Sequence, residues 1–125
     1  MLPLRFPKLW TAVAWLLTAA VIVGSLVPGP VVAAIPIRDK VMHAGSYFIL
    51  MVCFAGIYRR GLYPVVAGVL IMLGVSLDLL QLLTDTRSFD LGDVAMNCAG
   101  VATGLVLSWW LLGGWCQRVE QRLLS

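Results

Sequence analysis

Charge is scarce in this chain. Only 12% of its 125 residues are Asp, Glu, Lys or Arg, against 61% hydrophobic, where a soluble domain carries about 25% charged residues. A domain this small leaves a large share of its surface facing solvent. Such a composition argues against water as that solvent and fits a bilayer. Histidine is reduced to His43 alone, and cysteine to Cys53, Cys98 and Cys116. An odd number of cysteines without paired spacing, two of them inside apolar runs, argues against a disulfide framework or a metal knuckle. The chain has no internal repeat, low-complexity segment or composition shift that would mark a second domain, so residues 1–125 read as one transmembrane domain.

The apolar residues fall in four runs, which predict an all-α polytopic membrane protein with four transmembrane helices in a bundle. The helices are expected at about 9–27, 40–58, 62–83 and 91–112. The first run, Leu9 to Val27, is uncharged. At 1.5 Å per residue it measures roughly 28 Å, close to a bilayer core of about 30 Å. Its basic approach (Arg5, Lys8) resembles a secretory leader, but leader cores are roughly 7–15 residues long, so a retained helix is expected. Pro28-Gly29-Pro30 ends this run, and Pro36 keeps the next loop irregular. Arg59-Arg60-Gly61 stops the second run, Pro64 is tolerated in the first turn of the third, and Gly113-Gly114 ends the fourth. The tail, 115–125, is a short amphipathic piece. Trp115, Val119 and Leu123 share one helical face with Arg118 and Arg122 beside it, which predicts an interfacial position.

Basic residues set the expected orientation. In a four-helix arrangement Arg5, Lys8, Arg59, Arg60, Arg118 and Arg122 fall on one side and only Arg38, Lys40 and Arg87 on the other. That places both termini in the cytoplasm, with the chain multi-pass in the membrane. The net charge of +3 therefore reads as a topology signal and not as a nucleic-acid surface. Trp10, Trp109, Trp110 and Trp115 flank the cytoplasmic face as an aromatic belt would.

Against this background two polar stretches stand out. One runs from Asp78 to Asn97 and holds Asp78, Asp85, Asp90 and Asp93, four of the six acids, with Arg87. The other runs from Arg38 to Tyr47. Charges inside or beside a membrane segment are costly and are commonly retained for function or helix pairing. Side chains three or four apart share a helix face, so Lys40, His43 and Tyr47 form one stripe and Asp78 and Gln81 a second. Asp90, Asp93 and Asn97 form a third. All fall in the outer half of the membrane and are expected to face one another in the bundle. Gly100 and Gly104 continue the Asp93 stripe as a small-xxx-small pair for close helix approach.

These spacings carry a resemblance. Asp39-Lys40-x-x-His43-x-x-x-Tyr47, then Asp78-x-x-Gln81, then Arg87-x-x-Asp90-x-x-Asp93-x-x-x-Asn97-x-x-Gly100 resembles the VanZ-like membrane proteins, from about Ser25 and Pro28 to Gly104. The family more often carries Glu where this chain has Asp78, which shortens the reach by one methylene. The resemblance implies a cell-envelope setting and a link to resistance to the glycopeptide antibiotic teicoplanin. It supplies no reaction. Some members carry a phosphotransbutyrylase label, and nothing here resembles a site for that soluble chemistry.

The leading expectation is a binding protein. Asp39, Lys40, His43, Tyr47, Asp78, Gln81, Arg87, Asp90, Asp93 and Asn97 would present a polar cluster to the head group of an envelope lipid or a lipid-linked glycan, with Arg87 as an anion clamp. Membrane lipids, a lipoglycopeptide and a second copy of the chain are the partners considered. A second reading is a metal-dependent lipid-phosphate hydrolase or transferase. Asp78, Asp90, Asp93 and His43 would then hold Mg²⁺ or Mn²⁺. In a third, the cluster locks the helices and a protein partner carries the function. Capping of the fourth helix accounts for one of Asp90 and Asp93, and His43 pairs with a carboxylate or Tyr47 in the simplest arrangement. Cofactor and catalysis stay open at this level.

Overall fold

In a computed structural model of the chain, residues 2–26, 39–83 and 91–124 are described. Among them every regular element is helical: α1 (Pro7–Leu26), α2 (Asp39–Ala55), a 3-10 turn (Arg60–Leu62), α3 (Tyr63–Leu83), α4 (Leu91–Leu107) running on into a π-turn (Ser108–Leu112), and α5 (Trp115–Leu124). Three stretches are long and apolar enough to cross a membrane: Pro7–Gly24, Arg60–Leu80 and Val94–Leu112. The apolar part of α2, Ala44–Ala55, is shorter.

Local chemistry explains the ends. Pro7 opens α1, where its missing N–H would be unpaired in any case. Pro64 sits second in α3 for the same reason. α2 ends at Ala55 and not at Tyr58 as the sequence led us to expect. Its last turn tightens there, with the Gly56 N–H on both Val52 O (3.1 Å) and Cys53 O (3.2 Å), and the Ile57 N–H on Phe54 O (3.0 Å). The turn is occupied, too: a side chain at Gly56 would run into the Trp115 indole at 2.5 Å and the Cys116 sulfur at 2.7 Å. At the far end of α4 the Gly113 N–H closes on Ser108 O at 2.7 Å. Gly114 then turns the chain at φ +74°, a left-handed conformation that favours glycine.

α2 is the hub. Its Tyr47, Leu50, Met51 and Ala55 are buried against Tyr63, Ala67 and Leu70 of α3 and Val101 of α4. Its most extensive partner is α4, because the small-residue pair works as expected. A methyl on Gly100 would collide with the Ala44 carbonyl oxygen, and one on Gly104 would meet Met51 Cβ at 2.9 Å and Phe48 O at 3.1 Å. Helices in an apolar solvent gain little from burying grease, so close backbone approach of this kind is what joins them. α1 lies on the outside, mostly exposed, touching α2 and α3.

Candidate functional site

Three polar side chains vanish into this apolar packing. Tyr47 of α2 is 2% exposed, Asp78 of α3 3% and Asn97 of α4 2%. Their meeting place is Gly74 on α3. A methyl there would stand 2.9 Å from Asn97 Nδ2 and 3.3 Å from the Tyr47 hydroxyl, so the missing side chain is the space in which the phenol and the amide lie. Asp78 is one turn further along the same face of α3 and within electrostatic reach of Tyr47. Neither Asp78 nor Asn97 is without an interaction partner. A carboxylate accepts, a phenol gives one donor and a carboxamide two. The three residue types thus complement one another, which buried polar groups require in a medium without water. Eighteen residues separate Asp78 from Arg60, about 27 Å along the helix, so the cluster lies toward the end of the molecule remote from Arg59 and Arg60.

Of the residues singled out in the sequence, Tyr47, Asp78 and Asn97 are therefore brought together. Asp39, Lys40 and His43 lie on the first turns of α2, His43 four residues before Tyr47. Gln81 lies in the last turn of α3 and Asp93 in the first of α4. Their backbones are placed and their side chains are outside the description. Arg87 and Asp90 lie outside the described residues, as does Asp85. Among the described residues no three His, Cys, Asp or Glu side chains gather as a metal site would require. Gly74 was not marked as the meeting point of the stripes; its register one turn before Asp78 was the available signal.

The opposite end carries a second polar assembly that sequence reasoning missed. Glu120 on α5, the chain's single Glu, is buried and accepts three bonds. These come from the backbone N–H groups of Arg5 (2.7 Å) and Phe6 (2.8 Å) and from the Trp10 indole (2.8 Å). Burial alone would raise its pKa. The Arg5 and Phe6 N–H groups, the indole and the Arg5 charge outweigh that and hold the carboxyl below its ordinary value. The Leu2 N–H adds a bond to Ile57 O at 2.8 Å. The Trp115 indole binds Val52 O at 2.8 Å and meets Trp10 edge to face, centroids 5.4 Å apart. Arg118 donates to Gly113 O and Leu111 O, both at 3.0 Å, where the π-turn leaves carbonyls open. The docking face of α5 is thus Cys116–Glu120, and Leu123, expected on the apolar face, is 78% exposed.

Comparison with known proteins returns no matching family model, no matching curated protein and no matching solved structure.

Proposed function

We propose that the chain is a small integral membrane protein of the VanZ-like type that binds the head group of an envelope lipid or a lipid-linked glycan. In this reading four helices form a bundle across a bacterial plasma membrane with both termini in the cytoplasm, and a link to glycopeptide resistance follows from the family resemblance. The observation that carries it is the convergence of Tyr47, Asp78 and Asn97 from three helices at Gly74. Buried polar groups in otherwise apolar spans are costly and mark binding sites or polar pathways. In this reading Asp39, Lys40, His43, Gln81, Arg87, Asp90 and Asp93 would complete the cluster, the ionisable ones supplying the charges that a phosphate or an amino sugar would meet.

Near-complete burial of all three side chains favours one competing reading, in which the cluster only holds the helices together. Thermal melting of the detergent-solubilised protein separates the two. Polyprenyl phosphate, polyprenyl pyrophosphate, an anionic phospholipid and teicoplanin would each be added with EDTA and with Mg²⁺. A ligand of the folded state raises the melting point by mass action. The binding reading expects a rise with at least one of them, lost in Arg87→Ala. A rise requiring both Mg²⁺ and Asp93 would shift the reading to metal-dependent phosphate chemistry. No rise with any ligand would leave the helix-locking role.

A further inference from the structure

A groove of roughly 340 Å³ opens between α1 and α3 on the flank of the molecule, and none of Tyr47, Asp78 and Asn97 lines it. Trp15 and Ile22 of α1, and Leu62, Val69 and Leu73 on the α3 side, line it, with Tyr58 among the residues at one end. Its walls are almost wholly apolar. The one hydroxyl that α1 contributes to the wall, that of Thr18, is already committed to Ala14 O at 2.8 Å. It is open, with Val69 61% exposed. Leu62 and Leu73 are eleven residues apart, about 16 Å along the helix. That is about half of a bilayer core of roughly 30 Å, the depth of one leaflet.

The charge at its mouth names the occupant. Tyr58 is followed directly by Arg59 and Arg60, both exposed. No described carboxylate pairs with either, and the Arg60 guanidinium is steadied over the Trp109 ring at 5.1 Å. The bonds from Leu2 to Ile57 and from Arg5 and Phe6 to Glu120 draw Arg5, Lys8, Arg118 and Arg122 to the same end. Glu120, the acid placed there, is fully engaged. An apolar slot one leaflet deep, with Arg59 and Arg60 in the turn between its lining residues Tyr58 and Leu62, is complementary to a single amphiphile with an apolar chain and an anionic head. Arg groups suit phosphate oxygens through their planar fork, and basic residues at a membrane surface attract anionic lipid.

We propose that this groove holds one acyl chain of an anionic phospholipid whose phosphate rests on Arg59 and Arg60. The site is separate from the polar cluster and does not depend on what that cluster binds.

The test uses the full chain purified in a mild non-ionic detergent and offered phosphatidylglycerol and phosphatidylcholine at equal concentration, with bound lipid read by native mass spectrometry. The wild type should retain one phosphatidylglycerol per chain with about tenfold preference. Arg59→Gln with Arg60→Gln should abolish that preference. Val69→Trp, at a position already exposed, should fill the groove and remove retention of both lipids; Ile22→Trp fills it from α1 should the first variant fail to fold, as judged by circular dichroism. Equal retention of the two lipids by the wild type would overturn the proposal. So would unchanged phosphatidylglycerol binding in a folded groove-filled variant. A dimer that the groove-filled variants break would assign the groove to a second copy of the chain and would also overturn it.

Discussion

The Glu120 carboxylate accepts the Trp10 indole N–H at 2.8 Å across 110 positions of sequence. Through the same carboxylate two backbone N–H groups at the entrance to α1 are satisfied, that of Phe6 in the way the glutamate of a capping box within α1 would do. The cap is borrowed from the last helix. Because the folded carboxyl lies below its ordinary value of 4.5, this assembly contributes stability that is fully present above that value and is lost as pH falls through the lower folded value. Glu120→Gln should therefore melt below the wild type at neutral pH, and the gap should close in acid. Melting curves from pH 7 downward check this; a gap independent of pH would remove the charge from the account.

Cys116 reports on the same joint. It is 1% exposed, and burial, with the neighbouring Cys53 and Glu120 adding, pushes its thiol up to about 12. A thiol that is neither accessible nor ionised does not react. At neutral pH Cys116 should resist maleimide in the wild type and label in Glu120→Ala, where α5 loses its anchor. Mass mapping of the labelled peptide gives the answer, and rapid labelling of the wild type would contradict the docking of α5.

Two glycine positions make a matched contrast. Gly100→Ala sets a methyl against the Ala44 backbone, which cannot swing aside, so it should destabilise by about 1–3 kcal/mol as overpacking does. Gly68 has nothing within 4 Å of the corresponding position. Gly68→Ala should be neutral or gain up to about 1 kcal/mol in helix propensity. Unfolding in mixed detergent compares the two, and equal effects would argue against the α2–α4 contact.

Gly74→Ala tests the polar cluster directly. Its methyl meets the ends of two side chains, Asn97 and Tyr47, so the structure should absorb it at about 1 kcal/mol, the low end for overpacking, while the geometry of the cluster changes. Tyr47→Phe removes one hydrogen-bonding group, worth about 0.6 kcal/mol between membrane helices. On the binding reading both variants stay folded and lose the ligand-induced rise in melting point; on the helix-locking reading they change only the baseline melt.

Much of this was legible in the chain. Pro64 in the first turn of the third apolar run and Gly113-Gly114 at the end of the fourth mark helix ends because those residues act locally. The expected third helix, 62–83, and the observed Tyr63–Leu83 differ by one residue. The stripes that pointed Tyr47, Asp78 and Asn97 toward each other follow from helix periodicity alone. The end of α2 was placed three residues late because what stops it at Ala55 is the arrival of Trp115 and Cys116 from sixty positions away. Glu120 was missed for the same reason: an acid between Arg118 and Arg122 on an amphipathic tail looks like solvated surface until its distant donors are known.

The borrowed cap also fixes an order of events. α1 is made before α5, and the carboxylate that completes its entrance follows Phe6 by 114 positions. Throughout synthesis the N–H groups of Arg5 and Phe6 must be satisfied by water or by lipid head groups, and only when α5 emerges can the entrance close. The entrance to α1 is thus sealed only once α5 exists.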